Sequence, residues 1–261
     1  MESVKYNIYP SILDAFQDYL NSEDIWLRYW GNSDEPLISL EDFEQKQFKG
    51  LIDKINRVPI AWEDSEKADM GTAFNEIVDC LILNKKSDKM QIIRRCDPED
   101  NTLVTHLEAN YNNRIFSFPI GICREFAKYY KGAIPQVYTE AVFQTKYGEV
   151  KLYGYIDVLM PTSIHDIKVT GSYEAWKFKD KWQRVVYPYC INESGCNISD
   201  FEYNILLIKE TKSGNMYESL TEYYNYTNDD KERLTAFVEQ FIEFLEENRN
   251  LIIDKKIFNE L

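Results

Sequence analysis

Positive charge is scarce in this chain: 30 Lys and Arg stand against 44 Asp and Glu, a formal net charge of −14. A protein that coats nucleic acid without regard to sequence would usually be basic, so that class is disfavoured. A local role in nucleic-acid chemistry survives, because bound cations neutralise acids and basic side chains can gather on one face. The five cysteines, Cys80, Cys96, Cys123, Cys190 and Cys196, form no CxxC pair, which leaves a structural zinc site unsupported. Scattered and odd in number, they read as free thiols in a reducing cytoplasm. No basic segment followed by an apolar run opens the chain, and no stretch is long enough to span a bilayer. A soluble, cytoplasmic protein with no membrane association is expected. Repeats, low-complexity tracts and Pro/Gly/Ser-rich linkers are also missing, so the 261 residues read as one domain.

What the chain has is aromatic side chains, 19 Tyr and 14 Phe, mostly destined for a core although exposed rings can stack on bases. Hydrophobic spacing predicts helices over 11–20 (Ser11 as cap), 41–55, 72–83 and 120–130. In the third of these, Phe74, Ile77, Val78 and Leu81 form one apolar stripe. The pattern then changes to strands over 136–145, 149–160 and 163–169, with turns at Lys146-Tyr147-Gly148 and Pro161-Thr162. A helix over 176–191, a strand over 201–209 and a helix over 234–251 complete the chain. That order predicts an α/β fold: a mixed sheet flanked by helices, with an N-terminal helical part over 1–65, a core over 70–210 and a C-terminal helix within 230–261.

Three short stretches carry the chemistry: Gly154-Tyr155-Ile156-Asp157, Asp166-Ile167-Lys168, and Gln183-Arg184-Val185-Val186-Tyr187. Strand alternation puts Asp166 and Lys168 on one face and His165 on the other. A tight turn at Pro161-Thr162 pairs the two strands antiparallel and brings Asp157 toward Asp166. Two carboxylates that close repel unless a cation lies between them. Mg²⁺ or Mn²⁺ relieves the repulsion and supplies an activated water, with Lys168 beside the carboxylates to stabilise phosphate charge. Gln183 and Tyr187, four apart, share one helix flank. Pro188 removes one helical hydrogen bond and is expected to kink that helix. The run Lys177, Lys179, Lys181 and Arg184 reads equally as a solvated face or as nucleic-acid contacts.

Gly-x-x-Asp, eight intervening residues, Asp-x-Lys and then Gln-x3-Tyr resembles the PD-(D/E)xK nuclease superfamily, in its RecB-like and phage-exonuclease-like branch. The resemblance spans roughly residues 70–210, and Tyr9-Pro10-Ser11-x-Leu13-x2-Phe16 is similar to that branch's opening helix. It implies a restriction-endonuclease-like core. It also implies Asp157, Asp166 and the Ile167 carbonyl as metal ligands, Lys168 as the catalytic lysine, and Gln183 and Tyr187 as accessory residues. The family's Gly-x3-His or Gly-x3-Glu helix becomes Gly71-Thr72-Ala73-Phe74-Asn75-Glu76 here, a departure. The helical wheel puts Asn75 about 100° from Phe74 and favours it as the metal-facing residue, with Glu76 the alternative if the helix is rotated. Glu140 is similar to the acid often found on the preceding strand.

The resemblance implies a Mg²⁺- or Mn²⁺-dependent DNA exonuclease of phage or prophage recombination, with a single-strand annealing protein as the expected partner. Two rivals stay open: a catalytically degenerate binding module, and an endonuclease. His165, His106, Trp176 and Trp182 carry no role in any of them, and Tyr153 and Tyr155, on the Asp157 face, are expected to pack under helices, with lining of a nucleic-acid groove as the alternative.

Overall fold

The computed structural model describes residues 4–212 and 214–260. Its centre is a six-stranded mixed sheet. β6 (Gly148–Leu159) pairs antiparallel with β5 (Ile134–Thr145) along nearly its whole length. Its other edge is shared: β1 (Tyr6–Ile8) pairs parallel with Val150–Leu152, and β7 (Ser163–Thr170) pairs antiparallel with only Val158 and Leu159. β7 continues parallel to β8 (Asp200–Thr211), which pairs antiparallel with the edge strand β9 (Gly214–Asn225). A second antiparallel sheet, β2 (Gln91–Cys96), β3 (Val104–Tyr111) and β4 (Arg114–Pro119), stands apart from it.

Helices cover both faces, as the predicted α/β architecture requires. On one face, α1 (Pro10–Leu20), α3 (Leu40–Ile55), α6 (Gln183–Glu193) and α7 (Asn228–Glu247) bury Phe16, Leu51, Val186 and Phe241 against Leu152, Ile156 and Tyr203. On the other, α4 (Glu66–Leu83), α5 (Ile120–Tyr129) and the small sheet bury Phe74, Phe118 and Phe126 against Val158, Ile167 and Leu206. A short helix, α2 (Ser22–Trp30), lies between α1 and α3.

Several boundaries depart from the sequence reading for identifiable reasons. α1 starts at Pro10, whose fixed φ suits the first helical position, and Ser11 caps nothing because Tyr9 is the N-cap. α4 begins at Glu66, six residues before the predicted start at 72 and ahead of its apolar stripe. Its first turn is held by polar contacts instead: Asp69 accepts from Ser65 (2.7 Å) and Asn112 (3.0 Å) and pairs with Arg114. α6 begins at Gln183, not 176. Trp176 has φ +64°, outside the helical region, and residues 177–181 form successive tight turns. The helix then runs through Pro188 to Glu193. α7 begins at Asn228, set by a reciprocal capping box between Thr227 and Asp230.

Candidate active site

β6 and β7 part company after the Val158–His165 pair, and the site lies in the opening. Side chains of β6 also change face there. Ile156 packs with the first core and Val158 with the second, so the usual alternation is broken at Asp157. Opposite it on β5, Gln136 has φ +55° and drops out of the ladder, while Pro135 and Val137 remain paired. Asp157 therefore points into the seam between strands. Its Oδ2 accepts the main-chain N–H of Ile167 at 3.0 Å and the Asn75 amide at 3.2 Å.

The three sequence stretches meet here. Asp166, 1% exposed, is 2.6 Å from the Lys168 ammonium and accepts from Gln183 Nε2 at 2.6 Å. Lys168 also donates to Gln183 Oε1 at 2.7 Å, so one amide from α6 ties down both charged groups. The ring of Tyr203 lies 5.4 Å beneath the ammonium. Tyr187, one turn beyond Gln183, packs on the bare backbone of Gly154; a Cβ at that position would be 2.7 Å from the ring. Gly154 thus serves a close approach by a side chain.

Electrostatics mark this as a strained pocket. Burial pushes the Asp157 carboxyl up to about 8, and the neighbouring Asp166 carboxylate adds to the rise. Burial also raises Asp166, against the opposing pull of Lys168. Burial alone would lower Lys168, but Asp166 and then Asp157 outweigh it and hold the ammonium charged. Burial and the two carboxylates raise Tyr187 beyond the range of any physiological titration, so it stays a neutral phenol.

The oxygen donors suit a hard divalent cation. Asn75 Oδ1 is buried and has no hydrogen-bond partner among the described residues. With the carboxylates of Asp157 and Asp166 and the Ile167 peptide, it makes a set of the kind Mg²⁺ accepts while keeping several waters. Among the described residues no three His, Cys, Asp or Glu side chains cluster as a metal site. The donor set is instead two carboxylates, one amide and main chain.

Other predicted residues fall elsewhere. Glu76 points away and is taken by Lys89 at 2.7 Å, which corrects the alternative metal ligand. Glu140 is exposed on β5, bound to Tyr138 and Lys151, and does not support the site. Lys177 and Lys179 are exposed, on turns rather than on a helix. Lys177 bonds Thr170 and Ser172, and Lys181 lies 3.8 Å from Asp18. Arg184 is removed from the nucleic-acid set: its guanidinium pairs with Asp230 (3.2 Å) over the Tyr224 ring. His165 is buried on the far face, where Ser163, Asn204 and Glu202 surround its ring. Tyr155 is 59% exposed rather than packed under a helix.

Three residues went unnoticed in the sequence. Asp79 lies one turn beyond Asn75, buried, with Oδ1 unpartnered; burial first, then Glu76, pushes it up to about 7. Its helical spacing from Asn75 was the available signal. Asp14 of α1 accepts the Trp182 N–H at 2.9 Å, fixing the start of α6, and only the fold brings it there. Gln136 gave no signal, since a polar strand residue rarely adopts φ above zero.

No protein-family model matches the chain, and no curated protein matches it. A solved structure described as the crystal structure of SSO0001 aligns with 48% of this chain and 55% of its own, about half of each, at 12% identity and a TM-score of 0.35.

Proposed function

We propose that this protein is a metal-dependent deoxyribonuclease of the PD-(D/E)xK type, hydrolysing DNA phosphodiester bonds by attack of water as an exonuclease. One observation supports this above all: Asp157, Asp166 and Lys168 converge where β6 and β7 separate, locked by Asn75 and Gln183. Mg²⁺ or Mn²⁺ held by Asp157, Asp166, the Asn75 amide oxygen and the Ile167 carbonyl would acidify a water and polarise the phosphoryl group. Lys168, kept protonated by its carboxylate neighbours, offsets the negative charge that grows on phosphate oxygens. Gln183 fixes the distance between Lys168 and Asp166, and Tyr187 closes the pocket behind them. A role in phage recombination beside a single-strand annealing protein follows from the family resemblance.

The test is end-labelled linear DNA with Mg²⁺ or Mn²⁺, with and without EDTA, beside a covalently closed circle. Loss of label from the linear form alone is the expected result, abolished by Lys168→Ala and by Asp166→Ala. Full activity in either variant would refute the assignment. A second reading, a non-catalytic binding module, is favoured by one feature: Lys168, Asp166 and Gln183 satisfy one another without a metal. Calorimetric titration with Mn²⁺ separates the two, since the module takes up no specific ion.

A further inference from the structure

The face of the main sheet on which α4 packs is not wholly covered. Over β5 and β6 it carries Tyr155 (59% exposed) and Tyr138 (45%), with Val142 beyond them. The two tyrosines are register partners, their ring centroids 5.2 Å apart and tilted by 56°. Tyr155 precedes Asp157 by two residues, about 7 Å along a strand. The Tyr138 hydroxyl is tied to Glu140 at 2.5 Å, and Lys151 lies 3.6 Å from the same carboxylate. That bond first, then burial, raises the Tyr138 phenol to about 12, so the ring stays neutral. The result is an anchored aromatic pair one nucleotide's reach from the proposed hydrolytic centre.

With a net charge of −14, the chain has little long-range attraction for a polyanion, and its hold on a strand must come from short-range contacts. Stacking on aromatic rings is such a contact, and it ignores base identity because every base has a π-face. A base inside a duplex has both faces covered by its neighbours, whereas an unpaired one does not. Gly71, one helical turn before Asn75 on α4, leaves free space, since a Cβ there would touch nothing within 4 Å.

Building on the nuclease reading, we infer that Tyr138 and Tyr155 form a stacking platform for an unpaired nucleobase beside the scissile phosphate. The substrate class is then a single strand or a frayed duplex end. Fluorescence anisotropy with labelled (dT)10 in EDTA tests it, beside a duplex closed at both ends by hairpins. The wild type should bind (dT)10 at least about 10-fold tighter than the closed duplex. Tyr155→Ala should weaken (dT)10 by about 10-fold or more, while Tyr155→Trp preserves it. A thermal melt of Tyr155→Ala matching that of the wild type, followed by circular dichroism, reports that the fold is intact. Equal affinity of Tyr155→Ala and wild type for (dT)10, or no preference over the closed duplex, would overturn the platform. Failure of the nuclease reading looks different: wild-type protein binds (dT)10 but does not cut it with Mn²⁺.

Discussion

Replacing Asp157 by Asn should make the metal-free protein more stable. Burial and Asp166 hold the Asp157 carboxyl near 8, whereas an unfolded chain leaves it near 4. Between those values the folded state holds more protons than the unfolded one, so stability falls as pH rises. It is undiminished below about pH 4, declines by up to about 1.4 kcal/mol per pH unit, and levels off above about pH 8. At pH 7 the span is about three units, an upper bound of about 4 kcal/mol, and mutual screening with Lys168 makes about 2–4 kcal/mol the working figure. Asparagine removes the charge but keeps an oxygen for the Ile167 N–H. In EDTA at pH 8, Asp157→Asn should melt roughly 5–10 °C above the wild type, with the difference vanishing near pH 4. Taking the difference cancels Asp79, whose raised carboxyl slopes the same way. Asp157→Ala also removes the charge but leaves the Ile167 N–H without its acceptor, a loss of about 1–3 kcal/mol that should erase most of the gain. Saturating Mn²⁺ should reverse the order, stabilising the wild type by about 2.7 kcal/mol at a hundredfold excess over Kd and the Asn variant far less. A pH-independent difference, or an Asn variant less stable at pH 8, would show that the carboxylates are not in conflict.

Gly154→Ala would bring a methyl group to 2.7 Å from the Tyr187 ring, so α6 must shift and carry Gln183 with it. Differential melting should show a loss of about 1–3 kcal/mol, and cleavage should fall more than stability alone explains. Arg184→Ala leaves Asp230 with only the exposed Arg233 and its cap partners, costing about 1–3 kcal/mol of stability in chemical denaturation. The same variant should leave the KM for DNA unchanged; a several-fold rise would restore Arg184 to the nucleic-acid contacts.

The main-sheet strands around the site were legible because their signals are local. Alternation from Val150 to Val158 and tight turns at 146–148 and 161–162 place β5, β6 and β7 within two residues of where they lie. The small sheet escaped notice although Leu107 and Ala109, and Phe116 and Phe118, recur at period two. Charged residues such as Arg94, Arg95 and Glu108 diluted that pattern, since one side of the sheet faces solvent. β9 has a single buried residue, Glu222 being so placed by Phe178 and Tyr224 rather than by hydrophobicity, and an edge strand of that kind has almost no apolar signature. The site residues were readable as a spacing, whereas their supports, Asp14 and Gln136, are brought in by segments far away in sequence. Choosing Asn75 over Glu76 needed only the helical wheel, because a helix covered by apolar residues on one stripe leaves few orientations open.

The geometry of the seam gives a reason for the site's position. A continuous ladder between β6 and β7 would give the Ile167 N–H a carbonyl partner on β6, but the strands diverge two register pairs short of it. A buried N–H cannot be left unpaired cheaply, and the Asp157 carboxylate takes the place of the missing carbonyl. The sheet's irregularity and the acid thus compensate each other: the gap admits the carboxylate, and the carboxylate makes the gap tolerable. The same gap brings Asp157 close enough to Asp166 for the two carboxyls to raise each other's cost of ionising, and Lys168 from β7 and Gln183 from α6 offset that on the Asp166 side. A side chain that only repaired the ladder could be neutral. That the chain places an ionisable one there, raised to about 8 by burial and Asp166, is the feature on which the proposed cation site rests.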